Sequence, residues 1–243
     1  MRLDKLLSNM GYGSRKEVRQ IMKKGMIRVN GEAVKDPAQH VDPEKDAVSL
    51  LGEEVIYKKH IYLMMHKPPG VLSATEDHRD RTVVDLLGND ERHFEPFPVG
   101  RLDKDTEGLL LLTNDGQLAH SLLSPKKGVP KTYFAKIDGR VTDEDTEAFL
   151  QGVTLDDGYE TKPGILKIIH SDEFSEIELT ITEGKFHQVK RMFEAVGKTV
   201  VYLKRLTMGP LELDENLKLG EFRELTEEEL QQLMKLDSSK QKG

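Results

Sequence analysis

The stretch Gly100-Arg-Leu-Asp-Lys-Asp-Thr-Glu-Gly108 packs two cations, three acids, a hydroxyl and two glycines into nine residues, then runs straight into Leu109-Leu-Leu-Leu-Thr113. A charged loop held at the end of a buried strand is a common seat for a catalytic group, and a carboxylate there can serve as nucleophile or base. Three readings of this spacing stand side by side. Asp103, Asp105, Glu107 and Gly108 fit the first half of a calcium-binding loop, but Asn114 stands where a bidentate Glu is needed and Leu109–Leu112 are apolar. A polar turn capping a strand uses the same residues. The remaining reading is a catalytic carboxylate at Asp103.

Little else in the chain offers chemistry. It contains no Cys, which excludes disulfides, thiolate metal sites and thiol nucleophiles and fits a reducing cytoplasm. His66, His78 and His93 lack metal-ligand spacing, and neither a metal nor a cofactor is expected. A metal-dependent hydrolase built on Asp103 and Asp105 has no third ligand to complete its site. His187 reads better as a helix-start or RNA-contact residue than as a general base. Asp105 reads as an exposed or structural carboxylate. Tyr133 taken alone is a strand core residue, and Lys185, Lys190 and Arg191 taken alone are surface charges.

These residues need elements to position them. The 243 residues suit a small module followed by a larger one. With 37% hydrophobic and 33% charged residues the balance is that of a soluble globular chain. The N-terminus lacks the apolar core of a signal peptide. No apolar run approaches the roughly 20 residues that would span a membrane, so no membrane partner is expected. Net charge is −7, yet residues 1–35 hold nine cations and three anions, a local balance of +6. That segregation, rather than the total, bears on nucleic-acid binding.

Leu3, Leu6 and Leu7 share a helical face. Ser14-Arg-Lys-Glu17 has capping-box spacing and opens a helix whose apolar face is Val18, Ile21 and Met22, with Gly25 as its stop. Ile27–Val29 reads as a strand and Asn30-Gly31 as a tight turn. Arg15, Arg19 and Lys23 fall on one helical face that can follow a phosphate backbone. Residues 52–60 read as a linker, narrowing to 56–60 between a first domain at 1–55 and a second at 61–236. In the second domain, strands are expected at Ile61–His66, Leu109–Thr113, Thr132–Ile137, Glu176–Thr182 and Thr199–Leu203. Helices are expected at Gln117–Leu123, from Thr142 to near Gly152, at Gln188–Val196, and after the Thr226-Glu-Glu-Glu229 capping box. The order is mixed, which favours an α+β fold with a largely antiparallel sheet. Residues 237–243 read as a disordered tail.

The N-terminal pattern, Met1-Arg-Leu-Asp-Lys-Leu-Leu7, Ser14-Arg-Lys-Glu17 and Gly25-Met-Ile-Arg-Val-Asn-Gly31, resembles the S4 RNA-binding module. That resemblance makes Arg2, Lys5, Arg15, Lys16, Arg19, Lys23 and Arg28 candidate RNA contacts. Gly-Arg-Leu-Asp-x-x-Thr-x-Gly at 100–108 resembles the signature of the pseudouridine synthase families related to RsuA and RluA. Pro130-Lys-Thr-Tyr-Phe134 and Glu183-Gly-Lys-Phe-His-Gln-Val-Lys-Arg-Met192 match two further motifs in the expected order. The wording at His187–Phe193, Ser124-Pro-Lys-Lys and Thr161-Lys-Pro163 is closer to the small-subunit enzyme.

This resemblance implies an rRNA pseudouridine synthase of the RsuA type, with an S4-like module preceding a catalytic domain with a mixed, largely antiparallel sheet. Asp103 would be the nucleophile, Arg101 would help expel and replace the target base, Tyr133 would pack against that base, and Lys190 would pair with Asp103. Leu102 would help close an apolar pocket around a detached uracil. The implied target is a uridine of small-subunit (16S) rRNA, of the uridine-516 type, presented as rRNA or within the assembling small subunit to a cytoplasmic monomer. A large-subunit (23S) target and a non-catalytic assembly factor are the alternatives. Turning uridine into pseudouridine changes no oxidation state and adds no atom, so neither a metal nor a small-molecule cofactor is required. It does require a carboxylate kept ionised in a water-poor pocket, which a nearby cation favours, and a base taken out of its stack.

Overall fold

The computed structural model describes residues 1–238 in two compact units. The first comprises residues 1–61 and 87–96. Helix α1 (Leu3–Asn9) buries Leu3, Leu6 and Leu7, and α2 (Arg15–Lys23) buries Val18 and Met22. The Ser14–Glu17 capping box closes in both directions, so backbone donors that the helix leaves open are satisfied. Strands β1 (Ile27–Val29), β2 (Glu32–Ala33), β3 (Val48–Leu50) and β4 (Glu53–Glu54) form a sheet in the order β2-β1-β3-β4. Asn30 and Gly31 both have positive φ, as the β1–β2 turn requires. The expected linker at 52–60 is therefore too long: Glu53 and Glu54 pair with β3, and Val55 is buried in this core. A short helix, α3 (Asn89–Arg92), lies in 87–96, so the stretch expected to be one catalytic domain lends ten residues to the first unit.

The second unit, 62–86 with 97 onward, is built on one nine-stranded sheet. Its strands are β5 (Tyr62–Lys67), β6 (Phe97–Pro98), β7 (Glu107–Thr113), β8 (Lys131–Asp138), β9 (Ile165–His170), β10 (Phe174–Ile181), β11 (Thr199–Met208), β12 (Leu211–Glu212) and β13 (Phe222–Glu224). The main path is β13-β5-β7-β11-β8-β10-β9, with β12 on β11 and β6 on β7. Every pairing is antiparallel except β7 with β11, which run parallel. The expected α+β fold with a mixed, largely antiparallel sheet is what forms. β8 shows the period-2 burial of a strand with one covered face: Lys131, Tyr133, Ala135 and Ile137 are buried in turn.

Helices α4 (Gly116–Leu123), α5 (Asp143–Gln151), α6 (Gln188–Ala195) and α7 (Glu227–Ser238) complete the unit. Asp115 caps α4 through the Gln117 and Leu118 amides, and Thr142 with Asp145 forms the capping box of α5. Leu118, Ala119 and Leu122 of α4 and Leu233 of α7 share one core with Met64, Leu109 and Leu111. Phe149 of α5 meets Phe193 near the end of α6 edge-on at 5.0 Å, which ties the two helices together. β9 was not expected from its sequence; only Leu166 in it is buried. Helix α7 continues through Ser238, past the point where the tail was expected to begin, and residues 239–243 of that tail lie outside the described residues. Among the described residues no helix is long and apolar enough to cross a membrane.

Candidate active site

Asp103 sits on the loop that leads into β7, and the loop is held by residues far away in sequence. Lys67, at the end of β5, is wholly buried and its Nζ donates to the carbonyls of Pro68 (3.0 Å), Asp103 (3.0 Å), Lys104 (3.4 Å) and Thr106 (2.9 Å). Burial pulls this ammonium down to about 8, against the attraction of Asp105, Asp103 and Glu107. Ser73 holds the previous residue from both sides: its Oγ donates to Leu102 O and accepts from Leu102 N. Gly70 N donates to Lys104 O at 2.6 Å.

Gly108 explains the end of the motif. It pairs with Arg205 across the parallel β7–β11 step, and a Cβ built on it would lie 2.3 Å from Arg205 O. At φ +111° it also has a backbone that side chains rarely adopt.

The Asp103 carboxylate meets two cationic or potentially cationic groups. His187 Nε2 is 3.6 Å from Oδ1 and Lys190 Nζ is 3.6 Å from Oδ2. The closer bonds of Lys190 go elsewhere, to Asp105 Oδ1 at 2.7 Å and Oδ2 at 2.8 Å. Lys190 thus bridges Asp103 and Asp105 instead of pairing with Asp103 alone. These hydrogen bonds hold the Asp105 carboxyl below the usual range, so Asp105 anchors Lys190 rather than standing as a bystander. His187 enters α6 in the left-handed region (φ 50°) and stacks on Phe186 at 3.8 Å, which turns its ring toward the loop.

A cavity of about 70 Å³ opens on this loop, lined by Arg101, Leu102, Asp103, Tyr133 and His187 among others. Tyr133 and Leu102 are buried walls and Arg101 is exposed at the rim. The Thr106 hydroxyl, in the same lining, is buried without a partner. The site thus brings together Asp103, Tyr133, Arg101 and Leu102, with Lys190 behind the carboxylate. Lys67, Ser73 and Asp105 are additions that motif spacing did not reveal. Among the described residues no group of three or more acids and histidines is arranged to hold a metal ion.

In the first unit, Lys5, Arg15, Lys16, Arg19, Lys23 and Arg28 are exposed and Arg2 is half-buried. Two of them already have a task. Arg2 and Arg19 reach the wholly buried Asp4 at 2.9 and 3.1 Å. Burial alone would raise the Asp4 carboxyl, but the two arginines outweigh it and keep it below its usual range. Arg28 donates to Gly31 O within its own hairpin.

Comparison with known proteins places this geometry. The RNA pseudouridylate synthase family model matches residues 61–195, and the S4 domain model matches residues 1–48. An uncharacterized RNA pseudouridine synthase of Bacillus subtilis is 60% identical over 95% of this chain and 97% of its own. The ribosomal small subunit pseudouridine synthase A of Vibrio vulnificus is 41% identical over 97% of this chain and all of its own. The ribosomal large subunit pseudouridine synthase B of Bacillus subtilis is 39% identical over 97% of this chain and 96% of its own. With an S4 domain ahead of a synthase domain that carries Asp103 on a clamped loop, the chain belongs to the RNA pseudouridylate synthase family and is a pseudouridine synthase of the RsuA type.

Proposed function

We propose that this protein converts one uridine of small-subunit (16S) ribosomal RNA, the uridine-516 type site, into pseudouridine, with Asp103 as nucleophile on a flipped-out base. The observation that carries the reading is the placement of the Asp103 carboxylate on a cavity walled by Leu102 and Tyr133, with Lys190 and His187 each 3.6 Å away. In the reaction the N1–C1′ bond breaks, the uracil turns, and C5 bonds to C1′ while the C5 hydrogen leaves as a proton and N1 takes one up. Asp103 assists by attack at C1′ or C6, or by taking a proton at C2′. Tyr133 offers a flat face for the base, Leu102 keeps the detached uracil from water, and Arg101 at the rim occupies the space the base vacates. Lys190, held by Asp105, supplies positive charge to the Asp103 carboxylate.

The S4 unit supplies affinity through Lys5, Arg15, Lys16, Lys23 and Arg28, with Arg2 and Arg19 dividing their charge between Asp4 and the RNA. The partner is ribosomal RNA or the assembling small subunit, met by a monomer in the cytoplasm. The near-equal identity to a large-subunit enzyme supports a second reading, a 23S target with the same chemistry. Mapping pseudouridines in the ribosomal RNA of a strain lacking this protein tests both. A single site lost from 16S RNA is expected; a site lost only from 23S RNA selects the second reading, and an unchanged map refutes both.

A further inference from the structure

Next to the catalytic cavity lies a larger one of about 260 Å³, and two buried cations face it. Lys131 and Tyr133 point to the same side of β8, and Arg205 of β11 is registered directly against Tyr133. Lys131 is 8% and Arg205 2% exposed, and both line this cavity. Lys131 Nζ donates to Val129 O at 3.1 Å and Arg205 Nε to Leu109 O at 2.8 Å, both neutral carbonyls. Arg205 Nη2 is buried with no partner at all.

Neither cation is neutralised. Glu183 is the one acid in the lining, and its carboxylate is taken by the Tyr159 hydroxyl (2.7 Å), the Lys162 amide (3.0 Å) and Gln188 Nε2 (2.7 Å). Burial, with the Arg205 guanidinium adding to it, brings the Lys131 ammonium down to about 8. Burying one unpaired charge is costly, and placing two like charges side by side costs more. Such an arrangement persists where a ligand completes it, and the ligand that completes two buried cations and an unused guanidinium donor is an anion able to accept several hydrogen bonds. Lys162 and Lys185 at the exposed rim add to the attraction.

Arg101, Tyr133, Gly184 and Lys185 line both cavities. An anion held by Lys131 and Arg205 therefore belongs to the target nucleotide or to its immediate neighbour. We propose that this second cavity is a phosphodiester-binding site, in which Lys131 and Arg205 grip a backbone phosphate of the RNA adjoining the uridine that enters the Asp103 cavity. The inference rests on the chain acting on RNA as proposed above. It goes further in assigning a specific linkage to two residues outside the reacting centre, where they fix the position of the flipped nucleotide.

The test pairs a neutral linkage with a neutral side chain. Stem-loops are built around whichever uridine the mapping experiment identifies, in either subunit's RNA, with one methylphosphonate at the linkage on its 5′ or its 3′ side. Affinity is measured with the full chain in an Asp103→Asn background, so that binding is read without turnover. One of the two neutral linkages is expected to weaken binding at least tenfold. The same linkage should cost the chain that also carries Lys131→Gln less than threefold, because the charge it met is already gone. A distant neutral linkage should weaken both chains equally. Independent effects of linkage and side chain at both positions would overturn the proposal. A second arm titrates uridine, its 5′- and 3′-monophosphates and inorganic phosphate into the full chain by calorimetry, which needs no target RNA. One monophosphate should bind at least tenfold more tightly than uridine, and Lys131→Gln should abolish the difference. Inorganic phosphate binding as tightly as that monophosphate, with no effect of either neutral linkage, would make the cavity a free-anion site and also overturn it. Arg205→Gln serves as a third variant where circular dichroism shows it folded; if it does not fold, Lys131→Gln and the altered linkages decide alone. A failed target assignment shows itself separately, as absent tritium release from every stem-loop by the wild-type chain.

Discussion

Replacing Lys67 by Met keeps the length and the apolar stem of the side chain but removes the ammonium that gathers four carbonyls under the catalytic loop. Two of those carbonyls keep a second donor: Asp103 O accepts from Thr106 N, and Lys104 O accepts from Gly70 N. Pro68 O and Thr106 O lose the side-chain donor described for them. Leaving a buried acceptor unsatisfied costs about 1–3 kcal/mol, so the two together cost about 2–6 kcal/mol, partly offset because a buried ammonium no longer has to be desolvated. The loop relaxes rather than accept the whole cost, and the Asp103 carboxylate moves with it. A displacement on the order of 1 Å lowers turnover by roughly 10²-fold. The expected result for Lys67→Met is thus a single-turnover rate at saturating RNA reduced about a hundredfold, a lower melting temperature, and an RNA affinity within about threefold of wild type. The assay is tritium release from 5-tritiated uridine RNA, with circular dichroism melting and filter binding on the same preparations. A rate within about threefold of wild type would falsify the idea that Lys67 positions the loop. So would a rate loss explained wholly by weaker RNA binding.

Four further outcomes are expected. Asp103→Asn should lower single-turnover tritium release by about 10⁴-fold or more while melting and RNA binding largely survive; activity within tenfold of wild type would remove Asp103 from the nucleophile's role. The wild-type rate should fall with one proton lost as pH rises through about 8, where Lys67 gives up its third donor, and Lys67→Met should lack this limb. The stability effect of the same group has the opposite sign: native Lys67 releases its proton before the unfolded chain does at about 10.5, so from this residue alone stability rises across that window. Arg15→Glu with Lys16→Glu should weaken RNA binding and flatten its log–log salt slope by about 0.7–0.9 per lost phosphate contact, with little change in rate at saturation; an unchanged slope would make this face a solvated surface only. EDTA should leave activity unaltered on RNA whose fold is otherwise maintained, and a loss restored only by a metal that binds the protein would revive a metal site.

The proposed reacting centre can be picked out in the sequence because its residues are contiguous: Gly100 to Gly108 hold Asp103, the rim arginine and the glycine that lets β11 approach. What holds that centre is not contiguous. Lys67 precedes a Pro-Pro-Gly turn and looks like a solvated strand end, because the carbonyls that bury it come from residues up to 39 positions away. Arg205 lies beyond the expected end of its strand, since Lys204-Arg205 reads as a polar stop; only its register against Gly108 and Tyr133 makes it a core residue. Motif order brings Lys190 to the neighbourhood of Asp103 but not to its closest partner, because Asp105 is two residues past Asp103 and carries no pattern of its own. Charge counting fails in the first unit for a related reason. The +6 balance includes Arg2 and Arg19, and nothing local signals that Asp4 on α1 turns inward to engage both. The acidic pair Glu53-Glu54 hid a strand, since its pairing with β3 rests on the backbone and not on its side chains.

The parallel step at Gly108 and Arg205 also sets an order of events during synthesis. The bond from Arg205 Nε to Leu109 O spans 96 residues. At about 5–20 residues per second, a ribosome needs roughly 5–20 s after making Leu109 to supply that partner. Until β11 arrives, β7 has β5 on one side and only the short β6 at its far end on the other, and the floor beneath the Asp103 loop is missing. Pairings this distant in sequence form late, because loop closure opposes them before any contact rewards them. The first unit, whose sheet is complete by Glu54, can fold while most of the second is still unmade. Each new chain therefore passes through an interval with its S4 domain assembled and its Asp103 loop unsupported, able to hold RNA before it can alter it.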